Sequence, residues 1–141
     1  MSTFSKIVLK GLVGRWAVER RIDDRLSGQP GRFEGQAVFR TAGEGLVYHE
    51  EGWLTLGTAT ALFASRDYLW RAEGERIAVD YADGRHFHDF DPAEGAAVHA
   101  CDPDSYRVTY DFSGWPDTWQ SEWAVTGPRK DYVMTTYYLR A

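Results

Sequence analysis

Two short patterns in this chain could do chemistry: His86-x-His88, and a little further on His99-x-Cys101. On an extended segment, residues two apart share a face, so each pair would present its side chains together. Two histidines on one strand plus a ligand from its neighbour can hold Zn²⁺, which makes His86, His88, His99 and Cys101 the metal-ligand candidates. The same imidazoles could act as general bases, with His88 and His99 as candidates and Tyr106 as a donor to a developing anion. A haem iron with His88 or His99 as axial ligand is a further alternative. Cys101 as a nucleophile would sit about 6–7 Å along the strand from His99, which fits a small residue near a turn better than an activated thiol. The chain has no Cys-x-x-Cys, no Ser-His-Asp order and no phosphate-binding glycine loop. No cofactor is identified.

Charged and aromatic residues form a second constellation. Glu50 and Arg66 fall opposite each other if Gly57-Thr58-Ala59 is a loop between two strands, and Arg20 lies on the same face. They read either as a structural ion pair or as a guanidinium fork offered to a carboxylate or phosphate on a ligand. Tyr48, Tyr68, Tyr106, Tyr110 and Trp123 would line the space around them, as core packing or as the wall of a site for an amphipathic molecule.

Composition narrows the partners. The chain has 141 residues with 43% hydrophobic, 26% charged and 15% aromatic residues, which fits one globular domain over 1–141 and excludes a disordered chain. Thirteen Arg and three Lys are outweighed by acids to a net charge of −5, so no nucleic-acid partner is expected. No apolar run approaches the ~18 residues of a membrane helix. A single cysteine, an opening unlike a signal peptide and the absence of Asn point to a reducing, cytoplasmic setting.

Residues 4–13 predict a short helix with Phe4, Ile7, Val8, Gly11 and Leu12 on its apolar face. From Gly14 onward the pattern has period two, interrupted every 8 to 12 residues by Gly, Pro or Asp, which predicts an all-β antiparallel barrel. Ten strands are expected, at 15–23, 32–40, 46–56, 60–72, 75–82, 85–91, 96–101, 106–112, 118–126 and 130–140. Turn chemistry then fixes which residues share a face. Asp83-Gly84 sets Tyr81 against His86 and Val79 against His88. Glu73-Gly74 aligns Trp70 with Ile77, and a turn at 102–105 sets Cys101 against Tyr106 and His99 against Val108. Pro128-Arg129 sets Val125 against Tyr132 and Trp119 against Tyr138. A turn at 92–95 would carry His88 opposite His99 and His86 opposite Cys101.

These registers give one inner face, apolar at one end, where Trp16, Phe39, Leu46, Trp70, Ile77, Phe90, Phe112 and Trp119 gather, with Leu54 and Leu62 elsewhere on it. The waist and other end collect Arg20, Tyr48, Glu50, Arg66, His86, His88, His99 and Tyr106. A closed ten-stranded barrel is wider than side chains fill, so a wet cup plugged at its base by the helix is expected. The ligand-binding candidates are Arg20, Tyr48, Glu50, Arg66, Tyr68, His88, His99, Tyr106, Tyr110 and Trp123.

Gly14-Arg15-Trp16, preceded by the helix and matched by Arg140 at the end of the last strand, resembles the lipocalin, or calycin, signature, in which a basic residue covers a first-strand Trp. The ten strands are closer to nitrobindin-like and fatty-acid-binding barrels. Phe33-Glu34-Gly35-Gln36-Ala37, Tyr48-His49-Glu50-Glu51-Gly52, Phe87-His88, His99-Ala100-Cys101 and Gly127-Pro128-Arg129-Lys130-Asp131-Tyr132 resemble a bacterial and fungal family catalogued as a domain of unknown function. Three readings follow. The first is a barrel binding a small organic molecule with an anionic or hydrogen-bonding head. The second is a small lyase, isomerase or hydrolase on the same cup, or a metal or haem barrel. The third is an interaction protein, with outward Phe87, Tyr137 and Leu139 able to form a homodimer patch.

Overall fold

The computed structural model describes residues 4–101 and 103–141, and for 98–101 the backbone alone. One helix, α1 (Phe4–Leu12), precedes ten antiparallel strands. These are β1 (Gly14–Asp24), β2 (Pro30–Ala42), β3 (Gly45–Leu56), β4 (Leu62–Glu73), β5 (Arg76–Tyr81), β6 (His86–Phe90), β7 (Ala96–Cys101), β8 (Asp104–Asp111), β9 (Thr118–Gly127) and β10 (Lys130–Arg140). They form one sheet in the order β6-β5-β4-β3-β2-β1-β10-β9-β8-β7. Each strand pairs with its sequence neighbour and β1 closes onto β10, so this is an up-and-down barrel. It is nearly closed: among the described residues β6 and β7 end the order and share no ladder. The expected pairing of His88 with His99 and of His86 with Cys101 is therefore absent.

Two turns place their strands as the sequence predicts. Glu50 pairs with Arg66, and Val125 with Tyr132 and Trp119 with Tyr138. Two hairpins slip by two residues: Trp70 pairs with Val79, and His99 with Tyr106. A slip of two preserves which face a residue occupies. The β5–β6 hairpin departs more. Val79 pairs with His88 as expected, but Asp80 pairs with His86, so a bulge at Phe87 flips the start of β6. Phe87 points inward at 1% exposure, and His86 lies on the outer face. The proposed dimer patch thus loses Phe87 and keeps only Tyr137 and Leu139 as exposed residues.

The base is packed by aromatic rings. Trp70 meets Phe39, Phe90 and Trp119 at 5.2, 5.9 and 6.0 Å between ring centres, each edge-on, a favoured aromatic geometry. Trp16 is fully buried, donates from Nε1 to the Leu12 carbonyl at 2.9 Å, and stacks on Trp115. The Arg140 guanidinium lies 4.0 Å from the Trp16 ring centre and donates to the Gly11 and Pro116 carbonyls at 2.7 and 3.1 Å, as the calycin resemblance implies. Gly11 is required beneath Trp115, whose ring a Cβ there would meet at 2.5 Å. The helix inserts Val8, Leu9, Leu12 and Ser5, leaving Phe4 and Ile7 exposed, so its buried face is rotated from the expected one. Ser5 explains the rotation, because its hydroxyl donates to the Gly74 carbonyl at 2.9 Å. Leu62, expected inside, is 62% exposed at the start of β4.

Candidate functional site

Above that base the inward positions turn polar. Arg20 on β1 and Glu50 on β3 are 5% and 1% exposed and meet through two hydrogen bonds of 2.7 and 2.8 Å. Their strands are separated by β2, which they bridge diagonally past Gly35, where a Cβ would run into the β3 backbone at Glu51 and Gly52. Arg20 Nε also donates to Thr136 Oγ1 at 2.7 Å. Tyr48 donates its hydroxyl hydrogen to Glu50 in a short bond, so at the 2.9 Å contact between Tyr48 and Tyr138 the donor is Tyr138.

Electrostatics fix the protonation states. Burial alone would raise the Glu50 pKa. The hydrogen bonds and charge of Arg20, then the charge of Arg66, override it and leave Glu50 below the usual carboxylate range. Burial likewise works against the Arg20 cation, and Glu50 reverses it, holding Arg20 charged. Burial pushes Tyr138 up to about 12 and raises Tyr48 and Tyr110 well above the ordinary tyrosine value, so all three stay neutral donors.

Arg66 is placed differently. Its Nε lies 3.5 Å from Glu50, its Nη1 donates to Tyr68 at 3.5 Å, and its side chain is 39% exposed. Its guanidinium sits 5.9 Å from the Trp123 ring centre. Two guanidiniums share one carboxylate here, so the site holds one positive charge in excess. Beside it, Lys130 is neutralised by Asp104 at 2.9 Å and donates to Tyr106 at 3.3 Å.

The site unites Arg20, Tyr48, Glu50, Arg66, Tyr68, Tyr110 and Trp123 with Tyr138, Ser121, Trp70 and Val79 around a cavity of ≈ 20 Å³. That is room for about one water, not for the wet cup expected from strand number, because aromatic rings fill the barrel. A larger groove of ≈ 690 Å³ lies outside on β2 and β3, but its cation, Arg32, is paired with Glu34. Tyr138 was legible through the Pro128-Arg129 register although it was not among the expected site residues.

His86 and His88 lie on opposite faces of β6. His88 is buried and its Nε2 meets the Tyr110 hydroxyl at 2.8 Å, across the line between β6 and β7. His86, outside, bridges Asp80 at 2.9 Å and Asp89 at 3.2 Å, and both carboxylates raise its pKa, Asp80 the more. The bulge that separates His86 from His88 breaks the two-histidine metal grip. The side chains of His99 and Cys101 lie outside the described residues. Among the described residues no group of three or more His, Cys, Asp or Glu could hold a metal ion, and no helix is long and apolar enough to cross a membrane.

A search of solved structures finds the same shape in the S-type phycobiliprotein lyase CPES from Guillardia theta. The TM-score is 0.67 at 9% identity, covering 99% of this chain and 98% of the lyase. The shared architecture is the lipocalin-like barrel. No curated protein matches the sequence. A family model matches residues 12–140, nearly the whole barrel from β1 to β10, and the chain therefore belongs to the family of unknown function DUF6314.

Proposed function

We propose that this barrel binds a small organic molecule through an anionic head, with Arg66 as the anchor and Tyr68 and Trp123 as the adjoining wall. The observation that carries this reading is the excess charge. Glu50 is saturated by Arg20 and Tyr48, while Arg66 reaches it only at 3.5 Å and is exposed at the opening. A partly desolvated guanidinium beside an aromatic face favours a carboxylate, sulfonate or phosphate that can take both parallel N–H groups. Arg20, Tyr48 and Glu50 act behind it, holding its surroundings rather than touching the ligand. The lyase of Guillardia theta shares the fold and lends no residue to this assignment. The single Cys101 favours a reducing, cytoplasmic setting.

Naphthoate and its uncharged analogue naphthamide, titrated calorimetrically, test the reading. Arg66→Met should weaken naphthoate about tenfold or more, the worth of a charge-assisted hydrogen bond, and leave naphthamide unchanged. Equal affinity of the variant and the parent for naphthoate would remove Arg66 as the anchor.

A further inference from the structure

The bulge between Val79 and Asp80 turns Phe87 into the barrel, against the alternation of its strand. There its ring occupies an aromatic box. It stacks on Tyr81 at 4.8 Å and 23° and lies within 23° of parallel to Tyr68 at 6.1 Å. Trp123 and Tyr106 close the box at 5.2 and 5.5 Å, steeply inclined to it. These four rings come from β4, β5, β9 and β8, so the box spans both sides of the line where β6 and β7 fail to pair. Trp123 also lies under the Arg66 guanidinium, which puts the excess cation on the wall of the box.

Two features set Phe87 apart from the rings at the base. Among the described residues its box is lined by three tyrosines, a tryptophan and, at 4.4 Å, the neighbouring His88, each with a polar edge as well as a flat face. Its strand is hydrogen-bonded on one side only, to β5, through a ladder the bulge interrupts. Across the open line β6 is tied by the His88–Tyr110 hydrogen bond, by Phe90 stacked on Tyr110 at 3.9 Å, and by the Phe87 ring itself. A planar group carried by a strand with one ladder partner therefore fills the space next to an available cation.

We propose that Phe87 occupies the place of the ligand's ring, and that the ligand is a planar aromatic or conjugated anion that displaces it while its head meets Arg66. The proposal rests on the reading of Arg66 as an anion anchor and adds the body of the ligand to its head. With Phe87 in the box the neighbouring space is ≈ 20 Å³; its withdrawal adds the room of one ring. Binding then draws only on molecules in which Phe87 has swung out, and the apparent affinity is lowered by that fraction.

Calorimetric titration of naphthoate and of flexible decanoate into the parent, Phe87→Ala, Phe87→Leu and Arg66→Met tests this, with cooperative thermal unfolding as the check on folding. Phe87→Ala should bind naphthoate about tenfold more tightly than the parent, because the displacement is no longer needed. Phe87→Leu should fall between the two, and decanoate should gain less in both. Unchanged or weaker naphthoate binding by folded Phe87→Ala overturns the displacement. If Arg66→Met still loses naphthoate in that case, the anchor reading survives alone. A Phe87→Ala gain without dependence on Arg66 leaves the ring site and removes the anchor. If Phe87→Ala does not unfold cooperatively, Phe87→Leu is decisive, and affinity equal to the parent overturns the proposal. No binding to either the parent or the Phe87 variants overturns both.

Discussion

At the two ends of the barrel, arginine and tryptophan meet in opposite arrangements. At the base the arginine is outside: Arg140 covers Trp16 and spends its donors on the carbonyls of Gly11 and Pro116, where water can share them. At the waist the arginine is inside, and Arg20, at 5% exposure, requires a carboxylate and a threonine to satisfy it. The base ends in a closed stack. The waist ends in Arg66, a cation beside Trp123 that its neighbours do not fully neutralise. A polar interior alone does not mark a site, since the Arg20–Glu50–Tyr48–Tyr138 network is internally satisfied. Under the proposed reading, the charge left over at its edge does.

Removing Trp16 is the largest test of this contrast. Trp16→Ala should cost ~3–5 kcal/mol, as for other buried aromatic truncations, read by denaturant unfolding. Naphthoate affinity of the folded fraction should stay at the parent's value, and a parallel loss of binding would show that base and waist are one unit. Next in size, Glu50→Gln leaves Arg20 buried without its countercharge and should cost about 3 kcal/mol, whereas the pair Arg20→Met with Glu50→Leu should recover most of that loss. The pH dependence has a definite sign. Glu50 is depressed in the folded protein, so its contribution is complete above the unfolded carboxylate value of ~4.3 and is lost as pH falls through the lower folded value. Parent stability should therefore drop more steeply on acidification below about pH 4 than that of Glu50→Gln.

Much of this contrast was legible in the residues. Pro128-Arg129 and the loop at Gly57 set registers that placed Glu50, Arg66, Trp123 and Tyr138 on the inner face, and Trp16 and Arg140 announced the base. What could not be read was the bulge. Arg85-His86-Phe87-His88-Asp89 alternates equally well with either parity, and the extra residue leaves no mark in composition. Only the need to fill the barrel beside Tyr68 and Trp123 selects Phe87 over His86. The Arg20–Glu50 pair was hidden for another reason. Partners directly opposite follow from register, but this pair reaches diagonally over β2, between positions that no single turn aligns.

Two smaller predictions sharpen the comparison. Arg140→Met should cost about 1 kcal/mol, the worth of an exposed cation–π contact with its hydrogen bonds, and should leave naphthoate binding unchanged. His86 is raised by Asp80 and Asp89, so its contribution is present below the ordinary histidine value of ~6.5 and fades as pH rises through the folded value. Being half exposed, it should contribute less than ~1 kcal/mol. Comparing parent and His86→Gln stability from about pH 6 to 9 checks this; identical profiles would mean the outer network does not hold β6.

Among the described residues, the missing ladder between β6 and β7 leaves two sheet edges facing each other in a barrel that otherwise has none. An edge is a template for another chain, and this one is blunted in familiar ways: β6 is 5 residues long, is bulged, carries Asp89, and is followed at once by Asp91-Pro92. Amides along this line lack the second partner that protects β1, which is bonded to β2 and β10. Deuterium should enter the protein there first and reach β1 last, so the barrel unzips from its seam rather than fraying from its termini.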